Sequence, residues 1–188
     1  MRAPYVLLVA AGLLLPGVAL PAVPAGWYLA GNDPASFQVS RDATVAHAGK
    51  KSASLESIRE PKGFGTLMQT FAATDYRGKR LRLTAWAKAS DVKDWAGVWM
   101  RVDGPDAKSM AFDNMQNRPI KGTKDWARYD VVLDVPETAA GIAFGILLTG
   151  EGKVWISDIS FQTVDKSVPA TSSVGVMSPQ PKNLDFDQ

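Results

Sequence analysis

The chain has 188 residues, 46% hydrophobic and 21% charged, with a formal net charge of +2; this suits one folded domain and is too balanced for nucleic acid to be the main partner. It contains no cysteine and a single histidine, His47. That excludes disulfides, thiolate metal sites, cysteine nucleophiles, a lipoprotein anchor and any multi-histidine metal site, and it leaves a Ser-His-Asp triad only one imidazole to use.

The N-terminus reads as a leader. Arg2 precedes an uncharged stretch from Ala3 to Ala25, whose apolar heart, Val6 to Leu15, has the length of a signal-peptide core. Gly12, Pro16, Gly17 and Pro21 interrupt it, which argues against a stable spanning helix. Val23-Pro24-Ala25 supplies small residues for cleavage after Ala25, with Ala22 as a second candidate. The expectation is a signal peptide over 1–25 and a secreted or periplasmic protein, free of the membrane once the leader is removed; an uncleaved anchor is the alternative.

From Trp27 to Val164 the pattern is all β. Period-two segments run over Ser52–Ile58, Phe64–Phe71, Arg80–Lys88, Gly97–Asp103, Trp126–Val135, Gly141–Thr149 and Lys153–Val164, with turn residues between them. Gly150-Glu151-Gly152 is a tight hairpin signal. Ser90–Trp95 has room for a helical turn at most. Short strands at this spacing predict an antiparallel β-sandwich of jelly-roll type over 26–165. After it, a stretch rich in Pro, Ser and Gly predicts a flexible linker over 166–182. The segment 183–188, Asn-Leu-Asp-Phe-Asp-Gln, alternates like a short strand.

Alternation assigns faces. Leu81, Leu83, Ala85 and Ala87 oppose Arg82, Thr84 and Trp86; Val98, Met100 and Val102 oppose Trp99, Arg101 and Asp103. The outer face therefore mixes indoles with charged groups. A sugar ring offers C–H bonds to stack on an indole and hydroxyls for polar side chains, so Trp86, Trp99 and Arg101 are candidate ligand-binding residues. The alternative is that a loop covers these indoles.

The natural cover is Phe112–Thr123, FDNMQNRPIKGT. Asp113, Asn114, Asn117 and Arg118 can bond the loop's own amides, which explains its composition structurally. In the second reading Asp113, Asn114 and Arg118 form a ligand rim beside Trp99, joined by Gln69 from a neighbouring strand. Catalysis has little support: Glu56, Asp103, Asp113 and Asp130 could pair by chance, but no motif selects them as a glycosidase pair. His47 has no partner in sequence, and Arg77–Arg82 reads as a solvated strand. The expected protein is not an enzyme.

Three blocks carry a resemblance: Gly-Lys-Lys-Ser-Ala-Ser-Leu over 49–55, Tyr-Arg-Gly-Lys-Arg-Leu-Arg-Leu over 76–83, and Gly-x-Gly-x-x-Trp-x-x-Asp over 150–158. They resemble non-catalytic carbohydrate-binding modules with the galactose-binding-like jelly roll, across roughly Trp27 to Val164. The blocks at Trp95–Asp103 and Phe112–Trp126 resemble an uncharacterised bacterial subgroup, some of whose members are labelled transcription regulators. No helix-turn-helix pattern accompanies them here, so that label is not carried over. The resemblance implies a glycan or similar polar small-molecule ligand; the alternative is a structural or protein-interaction sandwich. It implies a first strand that is absent before Trp27, a slot that Leu184–Phe186 could fill; the alternative is that 183–188 is a frayed remnant or the beginning of a lost second domain. It also implies a structural calcium, for which Asp158 and Asp187 are the candidate ligands together with carbonyls near His47–Lys51. No cofactor is otherwise expected, and the oligomeric state is left open.

Overall fold

The computed structural model describes residues 23–171. Nine strands run β1 (Tyr28–Gly31), β2 (Phe37–His47), β3 (Lys50–Ser57), β4 (Phe64–Ala72), β5 (Arg80–Asp103), β6 (Ser109–Asp113), β7 (Ile120–Asp134), β8 (Gly141–Thr149) and β9 (Lys153–Val164), with single 3₁₀ turns at Pro34–Ser36 and Thr74–Tyr76. Every pairing is antiparallel.

The architecture turns on β5. It has 24 residues, far longer than an ordinary strand, because it serves two layers. Its first half, Arg80–Ser90, lies between β7 and β9, and the layer continues through β3 to β2. Its second half, Trp95–Asp103, lies between β8 and β6, and that layer continues through β4 to β1. The corner is built at Asp91, whose φ is 53°, with register breaks on either side. Asp91 tolerates this left-handed backbone better than a branched residue would. The β8–β9 turn tucks into the same corner. A Cβ on Gly152, at φ +140°, would lie 2.7 Å from Val92 Cα, so glycine is required by both conformation and space.

Between the layers sits one core. Leu81, Leu83 and Ala85 of the first layer belong to the same buried cluster as Val98, Met100 and Val102 of the second. The inward faces that alternation assigns on β5 are buried: Leu81, Leu83, Ala85 and Ala87 in the first half, Val98, Met100 and Val102 in the second. Three strands had no clear sequence signal. β1 is short, β6 is short, and β2 buries only Phe37 and Val39 among its apolar residues.

The stretch expected to open a linker is tied down over its first residues. Arg80 Nη1 donates to the carbonyls of Lys166 and Val168 at 2.8 and 2.7 Å. Thr171 N donates to Val132 O, and its hydroxyl accepts from Val132 N, both at 2.8 Å. The Thr171 bonds pair both backbone groups of Val132 on β7. The strand-like segment 183–188 and most of the leader lie outside the described residues, as does Asp187.

Asp42 anchors a bulge in β2. Its carboxylate accepts from Thr44 N, Thr44 Oγ1 and Val45 N, and from the Trp155 indole at 2.9 Å. Burial alone would raise its pKa, but the hydrogen bonds from Trp155, Val45 and Thr44 outweigh burial and hold it well below the ordinary 3.8. A depressed carboxyl stabilises the fold above its unfolded value, and this contribution is lost as pH falls through the folded one. Replacing Asp42 with Asn is expected to lower the melting temperature at neutral pH and to flatten its decline between about pH 5 and pH 2, read by thermal melts across that range. An unchanged acid limb would contradict this.

Candidate functional site

The outer face of the second layer carries a groove of about 670 Å³. Its floor is set by one contrast in side-chain size. On β5, Trp99 stands opposite Gly145 of β8, which in turn stands opposite Met68 of β4. A Cβ on Gly145 would lie 2.1 Å from Leu67 O, so the backbone of β4 packs against β8 there with no room for a side chain. Trp99 is only 6% exposed and packs with Ala143 and Leu147, flanked by Met68, Trp95 and Phe112. Its indole N–H donates to Thr66 Oγ1 at 2.8 Å, and that hydroxyl donates onward to Ile146 O at 3.0 Å. The floor's polar atoms are thus already paired within the protein.

Four chain segments raise the walls. Trp95, half-buried, lies on the same face of β5 as Trp99 and opposite Thr149. Phe64, exposed, comes from the start of β4. Phe112 and Asn114 come from the end of β6 and the following turn, with the Phe112 and Trp99 ring centres 6.5 Å apart. Asn32 comes from the turn after β1, its Oδ1 accepting from Phe64 N at 2.7 Å. At one end Arg101 makes a bidentate pair with Asp103 at 2.8 and 3.0 Å. The result is an aromatic trough with polar amides at its rim, chemically suited to hold a ring with two apolar faces and a polar equator.

Phe112–Thr123 resolves into the end of β6, a turn and the start of β7. Asp113 is fully buried; its carboxylate accepts from Met115 N at 2.8 Å and from Arg118 at 3.1 and 2.6 Å. Arg118 also donates to Asp130 O on β7. Met115 takes a left-handed φ of 64° and is 1% exposed. The Asp113–Arg118 pair therefore fixes the turn, and only Asn114 of this set reaches the groove.

The structure divides the other sequence candidates. Trp99, Arg101 and Asn114 line the groove together; Trp86 does not. It precedes the β5 corner and so lies on the first layer, where His47 stacks on it at 4.1 Å and 22°. Pairing Trp86 with Trp99 assumed two separate strands side by side in one layer, and the corner separates them. Gln69 is likewise misplaced. It shares the phase of Leu67 and Phe71 rather than Met68, and its amide donates to Gly26 O at 3.0 Å. Asp113 and Arg118 are scaffold, not rim.

Asp158 does reach the His47–Lys51 turn, as the resemblance implied. A φ of 50° at a bulge aims its carboxylate 3.8 Å from His47 Nδ1 and into an ion pair with Lys50. Here a lysine ammonium supplies the cation, and among the described residues no group of three or more His, Cys, Asp or Glu side chains could hold a metal; Asp187, the second ligand the resemblance implied, lies outside them. The four carboxylates considered for catalysis are each paired with a base: Glu56 with Lys153, Asp103 with Arg101, Asp113 with Arg118, and Asp130 with Arg128.

With this geometry in place, comparison with known proteins bears on the fold. No protein-family model matches the chain. The CBM22-1 xylan-binding domain of Paenibacillus barcinonensis Xyn10C superposes with a TM-score of 0.53 at 12% identity, covering 76% of this chain and 88% of that one. A family 16 carbohydrate-binding module superposes with a TM-score of 0.52 at 18% identity, covering 66% and 84%. The chain has the β-sandwich fold of the carbohydrate-binding modules. The same jelly roll is found in the enzymatically active domain of bacteriophage CBA120 tailspike protein 4, with a TM-score of 0.56 at 15% identity, covering 74% of this chain and 20% of that one. In sequence, the chain is 44% identical over 167 residues to a Bacillus subtilis protein named an uncharacterized HTH-type transcriptional regulator, covering 87% of this chain. It spans 57% of that relative's length. The only helices among the described residues are two single 3₁₀ turns, so nothing in them corresponds to a helix-turn-helix.

Proposed function

We propose that this jelly roll is a non-catalytic, exported binding module that holds a glycan in the groove walled by Trp95, Phe64 and Phe112. The observation that carries the reading is the trough itself: aromatic surface at the walls, a buried indole as floor, and side-chain amides at the rim. A floor whose polar atoms are already paired adds little polarity of its own, which favours a ring lying flat on it. The carbohydrate-binding modules that share the fold support this, as does the leader-like N-terminus for export to a secreted or periplasmic location. The test is a glycan array probed with the full domain, wild type against Trp95→Ala. Retention of at least one polysaccharide class, lost in the variant, is the expected result; no retention by the folded wild type would overturn the reading.

A further inference from the structure

The groove's hydrogen-bonding side chains are unequal in kind. Asn32 Oδ1 is committed to Phe64 N at 2.7 Å, and Asn114 Oδ1 to Gln116 N at 3.1 Å. A backbone N–H can only donate, so both amide oxygens are fixed facing the protein and both –NH₂ groups face away from these bonds. Both oxygens of Asp103 are occupied by Arg101 Nε and Nη2, which leaves Arg101 Nη1 outside that pair. Thr66 Oγ1 and Trp99 Nε1 are paired with each other. Among the lining side chains, those able to donate to a ligand include the two amide –NH₂ groups and the Arg101 guanidinium, together with the Thr149 hydroxyl, which can also accept. Arg101 is the single charged side chain in the lining, and no carboxylate joins it there.

A neutral hydroxyl brings a proton as well as lone pairs, and a guanidinium can meet only the lone pairs. A carboxylate brings acceptors only, and Arg101 offers the free end of a planar fork that matches it. We infer that the groove selects a uronic-acid-bearing glycan, with Arg101 receiving its carboxylate; the inference rests on the glycan reading above. Asp103 lies on the opposite edge of the guanidinium and is mostly covered, with 18% side-chain exposure, so it orients Arg101 rather than meeting the ligand.

The experiment compares oligogalacturonate and a glucuronate-bearing oligosaccharide with the same oligomers after their carboxyls are reduced to alcohols. Affinity is measured by titration calorimetry on the full chain at fixed salt. The expected result is at least about tenfold tighter binding of an acid form. In the Arg101→Gln/Asp103→Asn double variant, which removes both charges together, that preference should fall to within about twofold, a drop of most of a tenfold step. Equal or tighter binding of the reduced oligomers overturns the inference and leaves the groove reading standing. Binding of neither form by the folded wild type overturns both. Preference that survives in the double variant overturns the role given to Arg101.

Discussion

Replacing Arg118 with Met is expected to destabilise the domain by about 3–5 kcal/mol, the range seen when one partner of a buried ion pair is removed. Asp113 is fully buried, and two of its three hydrogen bonds come from Arg118. Methionine keeps the aliphatic stem, so the loss isolates the guanidinium rather than the packing. The stranded carboxylate then keeps only Met115 N as its donor within the turn. Urea unfolding should show the midpoint falling with the slope unchanged. The double variant Asp113→Asn/Arg118→Met should recover part of the loss, because Asn can still accept from Met115 N without carrying a charge. Asn117→Ala, at an exposed position that bonds Arg118 at 3.0 Å, should change stability by less than about 0.5 kcal/mol. An Arg118→Met variant as stable as the wild type would remove the turn's proposed anchor.

The second large effect concerns affinity. Trp95→Ala is expected to weaken binding of whichever glycan the array identifies by about thirtyfold or more, the size of an aromatic hot-spot loss of about 2 kcal/mol. The ring stands at the wall and is half-buried, so its removal opens the trough without emptying the core. Trp86→Ala is the control: its ring lies on the other layer under His47, so binding should stay within about twofold while thermal stability drops, since a packed aromatic is lost. Reversal of these two outcomes would move the recognition surface to the first layer.

Much of the fold was legible because its strands bury one face. Gly150 and Gly152 mark the turn between β8 and β9, and the ranges Gly141–Thr149 and Lys153–Val164 match those read from the sequence. The continuity of β5 was hidden for a physical reason. Its buried residues step from Ala89 to Val92 to Ala96 as the strand turns the corner, so alternation fails where the chain is nevertheless extended. That break concealed Trp95, which follows the corner in phase with Trp99 and Arg101. It also made Trp86 look like a neighbour of Trp99. Strand β2 was missed because most of it faces solvent at an edge, and a polar strand carries no hydrophobic period. Asn32 and Phe64 meet the groove only through the pairing of β1 with β4, a long-range fact that no local pattern encodes. The loop at Phe112–Thr123 was legible in half: its Asp, Asn and Arg do bond the turn, and only Asn114 also faces the groove.

The most direct test follows the indole N–H signals of the six tryptophans by nitrogen–proton NMR as the bound glycan is titrated in, with Trp95, Trp86 and Trp126, whose ring lies 5.4 Å from that of His47, assigned from their alanine variants. The account requires the Trp95 signal to move and saturate with the ligand while those of Trp86 and Trp126 stay in place. Movement of the Trp86 and Trp126 signals with Trp95 unmoved would contradict it.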